Sequence, residues 1–342
     1  MTINPLRWGI IGAGTWGKTH ADIVSHHLLA DLVAIADLDS QRAERLASEH
    51  GVAAYGDYRE MLEKEELDAV SIVTPDFAHA EPFIACCEAG KHVLLEKPLA
   101  TNHKDLARMK EAHAKSGIRC MVDYHNRWNP PIALAYQDIQ EGKIGDIVSM
   151  YYRLNDTIFV PTEMLKWSEQ SSILWFLGSH SVDTLRFFCG SEVDTVYALS
   201  RSMVLTKRGI DIPDIYQTIM TFKNGVVATM ENGWITPNTH PHWNDIKVNV
   251  TGTKGMFNMD LTNNQTIERY LEDVSDHPDT VIKPILHGKP TGFSYESIID
   301  FIEKIYYEKP FLVDFQDAYN VSKVILSIFE SVKEHKIVTV EY

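Results

Sequence analysis

The segment RWGIIGAGTWG, Arg7 to Gly17, decides the fold. An apolar run ends at Gly12, and the pattern Gly-x-Gly-x-x-Gly, formed by Gly12, Gly14 and Gly17, leads into a helical pattern that extends to about Leu29. Between a strand and a helix, the first glycine allows a tight turn, the second lets a pyrophosphate approach the backbone, and the third lets the helix pack closely. The stretch predicts a dinucleotide-binding turn; the alternative is a tight turn without a ligand.

Apolar runs and helical stretches alternate after this turn. The runs are LVAIADLD (32–39), DAVSIVTP (68–75), KHVLLEKP (91–98) and IRCMVDY (118–124). Helices are predicted over 40–50, with Ser40 as the N-cap, and over 79–89, where Gly90 ends the helix. Short buried strands that alternate with helices predict a parallel sheet covered on both faces. We therefore predict a Rossmann domain over residues 1–123.

The pattern changes in the second half of the chain. Longer alternating segments follow, namely 146–154, 194–202, 215–234 and 246–260, and Asn224-Gly225 is a hairpin signal. The predicted fold class is therefore α/β plus α+β: a Rossmann domain, then a domain over 124–342 built on a large, mostly antiparallel sheet. One face of that sheet has no obvious helical cover.

Asp37 ends the second predicted strand and indicates the cofactor. A carboxylate at that position can accept hydrogen bonds from both ribose hydroxyls of NAD, and it repels the 2′-phosphate of NADP. The nearest following arginine is Arg42. The sequence thus favours NAD over NADP, and Asp39 is interpreted as a solvated loop carboxylate.

Composition excludes several classes of partner. The formal net charge of −15 repels phosphate backbones and anionic lipid, so neither nucleic acid nor a membrane is expected as a partner. Pro5 leads directly into the first strand, which argues against a signal peptide, and no apolar run reaches about 18 residues. The cysteines form no Cys-x-x-Cys pair, which favours reduced thiols in a cytoplasmic protein. They are Cys86, Cys87, Cys120 and Cys189.

Several motifs together resemble the Gfo/Idh/MocA oxidoreductase family, named for glucose–fructose oxidoreductase and inositol dehydrogenase. Besides the glycine turn they are TPDFAHA (74–80), EKPLA (96–100), YHNRWNP (124–130) and GSHSVDTLRFFCG (178–190). The resemblance implies a homodimer or homotetramer that oxidises a hydroxyl, or reduces a ketone, of a sugar or cyclitol with NAD. With the motif chemistry it implies a set of cofactor contacts: Gly12, Gly14, Thr15, Trp16, Gly17, Asp37, Thr74, Pro75, His79, Glu96 and Lys97.

Lys97 and His180 are the predicted catalytic residues. Lys97 follows an apolar strand, at the sheet edge where open α/β folds bind ligands, and it can exchange a proton with the reacting oxygen; the alternative is a surface lysine paired with Glu96. His180 is suited to this role because a histidine side chain can accept and donate a proton near neutral pH. A helix over 172–189 would place Phe176, His180 and Asp183 on one face. Asp183 would then orient His180 or bond nearby backbone.

Phe176 departs from the family pattern, which usually has an aspartate four residues before the histidine. Three explanations stand: a less polar substrate, such as a glycoside whose aglycone packs on Phe176; another carboxylate, Asp156 or Glu231, in that role; or loss of catalysis. We favour the first because the other motifs are intact.

Substrate contacts are also expected from other polar and aromatic residues. The full predicted set is His125, Arg127, Asp156, Trp175, Phe176, His180 and Asp183. Arg127 could instead brace the joint between the domains. His240 and His242 lack a nearby third ligand, so no metal site is expected. Trp234 and Trp243 are expected to be buried in the core or in an interface.

Three functions are consistent with the sequence. The favoured one is an NAD-dependent dehydrogenase or ketoreductase acting on a sugar, glycoside or cyclitol. The first alternative is a glycoside-cleaving enzyme that oxidises its substrate transiently, eliminates the aglycone and returns the hydride. The second is a non-catalytic dinucleotide-binding sensor, against which the presence of both Lys97 and His180 argues.

Overall fold

The computed structural model describes residues 4–262 and 267–342. The chain divides into two compact units, and each is described by itself. The first comprises residues 1–125 and 285–319, and the second comprises residues 126–284 and 320–342. Residues 285–319 thus pack with the Rossmann sheet, although the sequence predicted a contiguous division after residue 123.

The first unit contains a six-stranded parallel sheet with the strand order β3-β2-β1-β4-β5-β6. The strands are β1 Leu6–Ile11, β2 Ala30–Ala36, β3 Ala53–Tyr55, β4 Ala69–Ile72, β5 His92–Leu95 and β6 Cys120–Val122. They are short and mostly buried because helices cover both faces, which explains their continuous apolar sequence. The predicted Rossmann fold is confirmed.

Helices alternate with these strands. They are α1 Thr15–His26, α2 Ser40–His50, α3 Tyr58–Lys64, α4 Ala80–Glu88 and α5 His103–Ser116. The N-cap of α2 is Asp39, whose carboxylate accepts a hydrogen bond from the backbone N–H of Arg42. The predictions that Ser40 is the cap and that Asp39 is only a solvated loop carboxylate are therefore wrong. Gly90, with φ of 68°, follows α4 as predicted.

The second unit contains a seven-stranded sheet. In chain order its first helices and strands are α6 Pro130–Gln140, β7 Ile147–Asp156, α7 Ser179–Cys189, β8 Val193–Arg201, β9 Ile215–Phe222, β10 Val227–Gly233, β11 Asn244–Gly252 and β12 Met256–Asp260. Short strands β13 Arg269–Tyr270 and β14 Ser275–Asp276 pair separately, as do β15 Ile285–Leu286 and β16 Lys289–Pro290 of the first unit. The remaining elements are α8 Phe293–Tyr306, α9 Phe315–Glu334 and β17 Val338–Thr339.

The large sheet is antiparallel except for one pair. Its strand order is β12-β11-β7-β10-β9-β8-β17, and only β7 and β10 run parallel. The hairpin predicted at Asn224-Gly225 joins β9 to β10, with Gly225 at φ of 88°. Helices cover one face: Asn232 on β10 donates to the hydroxyl of Ser181 on α7, and Ser331 on α9 accepts from the backbone of β8.

Outward positions of the same sheet carry exposed apolar side chains. They are Leu199, Ile219, Val227 and Met256; the first three lie on β8 to β10, where alternate residues are buried, and Met256 lies on the edge strand β12. This pattern agrees with the prediction of an open face. Among the helices of residues 4–262 and 267–342, none has the length and apolar composition needed to cross a bilayer.

The segment that precedes α7 differs from the prediction. Residues Leu174–Gly178 form a π-helical turn, and the α-helix begins only at Ser179. The predicted α-helix over 172–189 is thus wrong in its first third. Phe176 lies in the π turn and His180 in the α-helix, so the four-residue spacing between them crosses a change of helix type, and their shared face stays a prediction.

Candidate functional site

The glycine turn of the first unit has the geometry that a pyrophosphate requires. Gly12 has φ of 109°, and a Cβ there would lie 2.6 Å from the carbonyl oxygen of Val73. A Cβ on Gly17 would overlap the carbonyl oxygen of Gly12, whereas a Cβ on Gly14 would meet no atom within 4 Å. Gly12 and Gly17 therefore serve packing inside the protein, and Gly14 faces open space. The first turn of α1 carries no capping side chain and no acidic residue, so its N–H groups suit an anion.

Asp37 is held against this turn. Its carboxylate accepts hydrogen bonds from the backbone N–H of Ala13 at 2.7 Å and from that of Asp39 at 2.9 Å. Arg42 reaches Asp37 at 3.9 Å and Asp39 at 3.5 Å, so the arginine is tied to two carboxylates. The negative charge therefore remains beside the turn, where the ribose of a dinucleotide is expected, and these residues fit NAD.

Two further predicted cofactor residues lie in the turn after β4. Thr74 and Pro75 precede a short 3₁₀ turn, Asp76–Ala78, and both are half-buried. His79, which is almost fully buried, directs Nδ1 at the carbonyl oxygen of Pro98 at 2.7 Å and Nε2 at that of Thr74 at 3.1 Å. Burial lowers the pKa of His79, and the carbonyl oxygens of Pro98 and Thr74, which are both acceptors, act against this effect. His79 thus braces two turns, and its contact with the cofactor stays a prediction.

Behind Lys97 lies a chain of buried polar groups. Trp8 donates to the hydroxyl of Ser71 at 3.0 Å, and Ser71 lies 3.0 Å from Nδ1 of His20. Because the tryptophan can only donate, the serine hydroxyl can donate to His20, which leaves the hydrogen of His20 on Nε2, 3.5 Å from Glu96. Burial alone would raise the pKa of Glu96, but His20, Lys97 and His125 lower it on balance, so Glu96 is anionic.

A second carboxylate, Asp123, lies beside this chain. His20, Glu96 and Asp123 each offer one ligand atom, and these atoms lie within 4.8 Å of one another. Among the described residues they are the ones that could hold a cation; Nδ1 of His20 contacts Ser71, and its Nε2 lies 3.5 Å from Glu96. Nδ1 of His125 lies 3.9 Å from Oδ2 of Asp123.

The rings around His125 come from the same unit. His125 stacks on Trp16 of the glycine turn, with centroids 5.7 Å apart and an interplanar angle of 24°. The ring of Phe293, the first residue of α8, lies near that of His125, with centroids 5.6 Å apart and an interplanar angle of 48°. His125 is 9% exposed. The structure therefore brings two predicted site residues, Trp16 and His125, into contact in this unit, and the charges of Lys97 and His125 both act on Glu96.

The predicted catalytic histidine of the second unit lies in the first turn of α7. His180 is 4% exposed, and its carbonyl oxygen accepts from the hydroxyl of Thr184. Phe176, in the π turn before it, is half-buried and packs edge-on against Trp167 at 6.4 Å and 70°. Trp175 is buried against Phe329 at 5.4 Å, so this predicted substrate residue is a core residue.

Asp183 and Arg127 form a buried bidentate ion pair. Nε and Nη2 of Arg127 donate to the two carboxylate oxygens at 2.9 and 2.6 Å, and Asp183 is fully buried. The guanidinium also lies over the ring of Phe187, 4.8 Å from its centroid. Arg127 therefore fastens the turn His125–Trp128 to α7, and a substrate contact of either residue stays a prediction.

The two candidate replacement carboxylates lie on opposite faces of the large sheet. Glu231 occupies an outward position of β10 and accepts from Asn155 and Gln217, both at 2.7 Å. Its neighbour Asn232 points to the helix-covered face, where it bonds Ser181. Glu231 is therefore wrong as a partner for His180. Asp156, 1% exposed at the end of β7, accepts from the side chain of Asn244.

The stretch 236–243 is polar and partly open. Nδ1 of His240 contacts the carbonyl oxygen of His242 at 2.7 Å, and burial lowers the pKa of His242, although Asp279 acts against this effect. Trp234 is fully buried, as expected, but Trp243 is 55% exposed, so it is not a core residue.

Family models match both halves of the chain. The NAD-binding Rossmann fold of the GFO_IDH_MocA oxidoreductase family matches residues 6–124, and the C-terminal alpha/beta domain of that family matches residues 137–340. The chain belongs to this oxidoreductase family. The family recognised from the motifs is therefore confirmed, as is an NAD-binding first domain.

Several dehydrogenases are similar to this chain over most of their length. Myo-inositol 2-dehydrogenase of Thermotoga maritima is 27% identical over 313 residues, covering 85% of this chain and 91% of the relative. The scyllo-inositol 2-dehydrogenase (NAD(+)) of Bacillus subtilis is 31% identical over 257 residues, covering 73% and 72%. A solved structure of levoglucosan dehydrogenase in complex with NADH and L-sorbose is 27% identical, with a TM-score of 0.83 and coverage of 99% and 100%.

The sequence analysis did not single out Asp123 and His20, which the structure places beside Glu96. His20 gives no local signal, because it lies inside the apolar face of α1. Asp123 does give one: like Asp37, it is an acidic residue at the carboxyl end of a parallel strand, the edge where such folds bind ligands.

Proposed function

We propose that this GFO_IDH_MocA family member is an NAD-dependent dehydrogenase or ketoreductase acting on a sugar, glycoside or cyclitol. The observation that carries the proposal is Asp37, held at 2.7 Å from the glycine turn beside the open space at Gly14. The names of the similar proteins support the substrate class, since two are inositol dehydrogenases and one is a levoglucosan dehydrogenase.

In this proposal Lys97 and His180 accept and donate the proton of the reacting hydroxyl. NAD, when bound, accepts or returns a hydride at C4 of its nicotinamide ring. An alcohol carbon gives up hydride only as its oxygen loses a proton, so a positioned base contributes roughly 10²–10⁴-fold in rate. Lys97, half-buried at the carboxyl end of β5, and His180, on α7, are the groups assigned to that step.

The test is a screen of sugars, cyclitols and glycosides with NAD and NADH that follows both cofactor redox state and substrate loss. The proposal expects turnover with at least one polyol substrate and its loss in Lys97→Met and His180→Ala. Full turnover in both variants would refute the assigned roles. Binding of NADH without turnover of any compound would instead support a sensor.

A glycoside-cleaving reaction is the second candidate, and Phe176 favours it. Phe176 stands where the resemblance implied an aspartate; half-buried and packed on Trp167, it offers an apolar surface for an aglycone. Such an enzyme returns the hydride, so aglycone is released without net NADH. Phe176→Asp should then weaken binding of aryl glycosides more than that of free sugars. If Phe176→Asp changed the kinetic constants for aryl glycosides and for free sugars equally, the result would contradict this candidate.

We also propose a cytoplasmic homo-oligomer that associates through the open face of the large sheet. The apolar side chains exposed there are Leu199, Ile219, Val227 and Met256. The same face of a second subunit can bury them, because in a symmetric dimer each subunit contributes the same surface. Three buried thiols, Cys86, Cys87 and Cys120, suit a reducing compartment. Ile219→Lys should lower the molar mass measured by light scattering, whereas Leu134→Lys, on α6, serves as the control because it is also exposed. An unchanged mass in Ile219→Lys would contradict this interface.

A further inference from the structure

The carboxylate of Asp37 fills a small anion site at the end of β2. Two backbone N–H groups donate to it: that of Ala13 to Oδ2 at 2.7 Å, and that of Asp39 to Oδ1 at 2.9 Å. A guanidinium nitrogen of Arg42 lies 3.9 Å from Oδ2. Backbone N–H groups beside an arginine are also the donors that bind phosphate in proteins. The chain therefore places its own carboxylate among donors that suit a phosphate.

Arg42 is held only weakly at this site. Its Nη1 lies 3.9 Å from Asp37 and its Nη2 lies 3.5 Å from Asp39, and both distances exceed the usual length of a hydrogen bond. The side chains of Arg42 and Asp39 are 45% and 50% exposed. Ion pairs between exposed side chains contribute little to stability. Arg42 can therefore turn to another anion at small cost, whereas Asp37 is fixed by two backbone donors.

The position of this arginine bears on the choice between NAD and NADP. In a dinucleotide-binding fold, an acidic residue at the end of the second strand faces the 2′-hydroxyl of the ribose, and an arginine nearby accommodates a 2′-phosphate. Asp37 holds the acidic position, and Arg42 lies beside it in the first turn of α2. Two carboxylates and one guanidinium leave an excess of negative charge there, which repels a phosphate.

We propose that Arg42 is a 2′-phosphate-binding residue kept inactive by Asp37 and Asp39, so that these three side chains together set the preference for NAD. The inference rests on the proposed function in one respect, since it requires a dinucleotide at the glycine turn. Loss of the charge of Asp37 releases two backbone donors and lets Arg42 pair with a 2′-phosphate. Loss of the charge of Asp39 adds to this effect, because it removes the second carboxylate that holds Arg42.

The first test measures the binding of NADPH and NADH by calorimetric titration. In Asp37→Ser the affinity for NADPH should rise, and that for NADH should fall because the ribose loses its acceptor. Adding Arg42→Gln to Asp37→Ser should lower the affinity for NADPH by roughly tenfold to a hundredfold, as expected for a lost hydrogen bond to a charged group, and change that for NADH by less than about threefold. Adding Asp39→Asn instead keeps an oxygen that can cap α2 and should raise the affinity for NADPH further.

Arg45→Gln, in the same Asp37→Ser background, is the matched control. Arg45 is an exposed arginine of α2, three residues beyond Arg42. Its replacement removes the same charge from the same helix and should change the affinity for NADPH by less than about threefold, because solvent screens charges that make no contact. Equal losses in the two arginine variants, or no loss with Arg42→Gln, would overturn the assignment.

A second readout needs neither a nicotinamide nor turnover. Adenosine 2′,5′-bisphosphate and adenosine 5′-monophosphate differ only in the 2′-phosphate, so the ratio of their affinities isolates that group. The ratio should rise in Asp37→Ser and fall back when Arg42→Gln is added. Asp37→Asn, which keeps the shape of the side chain, provides the same comparison if Asp37→Ser does not fold. A ratio that does not depend on Arg42 in the folded variants would refute the inference.

The outcomes also separate this inference from the proposed function. Absence of NADH binding to the parent protein would contradict the proposed function itself. If the parent binds NADH and turns over a polyol, while Arg42→Gln leaves the binding of 2′-phosphates unchanged in the Asp37→Ser background, only the role of Arg42 is wrong.

Discussion

At the scale of single residues, the three glycines of the first turn are required for different reasons. Gly12 and Gly17 are required by the protein itself, because added Cβ atoms would meet the backbone of Val73 and of Gly12. Gly14 is extended, with φ of −79°, and borders open space. Only Gly14 is therefore explained by a ligand and not by packing.

Gly14→Ala accordingly separates binding from stability. We expect the free energy of unfolding to stay within about 0.5 kcal/mol of the parent, as for substitutions away from packed features. The affinity for NAD should fall at least about tenfold, because the new methyl group occupies space needed by the pyrophosphate. Calorimetric titration and urea denaturation measure the two quantities. Gly56→Ala is the matched control, and unweakened NAD binding in Gly14→Ala would place the pyrophosphate elsewhere.

The ion pair of Arg127 with Asp183 supports a second prediction at this scale. Arg127→Met leaves a buried carboxylate without its partner and should cost about 3–5 kcal/mol of unfolding free energy. The double variant Arg127→Met with Asp183→Leu should cost less, because no charge is left buried. Lys143→Met, which breaks an exposed pair with Asp138, is the control and should cost about 1 kcal/mol or less. Urea denaturation distinguishes these cases, and equal losses in Arg127→Met and Lys143→Met would contradict a structural role.

At the scale of elements, helix ends were predicted less accurately than helices. The sequence offers two adjacent capping residues, Asp39 and Ser40, and only the backbone geometry identifies Asp39 as the cap of α2. The π turn before α7 is a similar case. Its i,i+5 spacing leaves no signature in an apolar stretch such as LWFLG, which is compatible with either helix type.

The cap of α2 can be tested directly. Asp39→Ala removes the acceptor for the N–H of Arg42 and should lower the free energy of unfolding by about 0.5–2 kcal/mol. Ser40→Ala should be nearly neutral because Ser40 is the first residue inside the helix. Thermal and urea unfolding of the two variants provide the measurement, and a larger loss in Ser40→Ala would reverse the assignment.

At the scale of the whole molecule, buried histidines couple stability to pH. Burial is the main cause that lowers the pKa of six of them: His27, His50, His79, His92, His113 and His242. A histidine with a lowered pKa in the folded state binds fewer protons than in the unfolded state. Its contribution to the free energy of unfolding is therefore fully present above the ordinary histidine pKa, near 6.5. That contribution is lost as the pH falls through the pKa of the folded state.

We expect the free energy of unfolding to decrease between pH 7.5 and pH 5.5, because the unfolded chain binds protons on these six histidines in that range more readily than the folded chain does. Carboxylates with lowered pKa, such as Glu96, lose their contribution only below their ordinary range and do not disturb this window. His113→Phe keeps the stacking on Phe315 and should flatten the dependence measured by urea denaturation. Stability that rises toward pH 5.5 would contradict the prediction.

The sequence alone determined the elements whose signals are local. Gly12, Gly14 and Gly17 specify a turn that few backbones can form, and Asp37 follows its strand directly, so the dinucleotide fold, the cofactor and the family could all be inferred from contiguous residues. The alternation of β8 to β10 likewise predicted a sheet with one open face, because side chains on a strand point to opposite sides in turn.

Only the tertiary structure decided which distant groups meet. It paired Arg127 with Asp183, 56 positions apart, placed Glu231 on the face away from Ser181, and joined residues 285–319 to the first unit. It also brought Asp123 beside His125 and close to His20 and Glu96, which the chain separates by up to 105 positions. The physical reason is that local patterns set backbone conformation, whereas contacts between buried polar groups depend on how several elements pack at once.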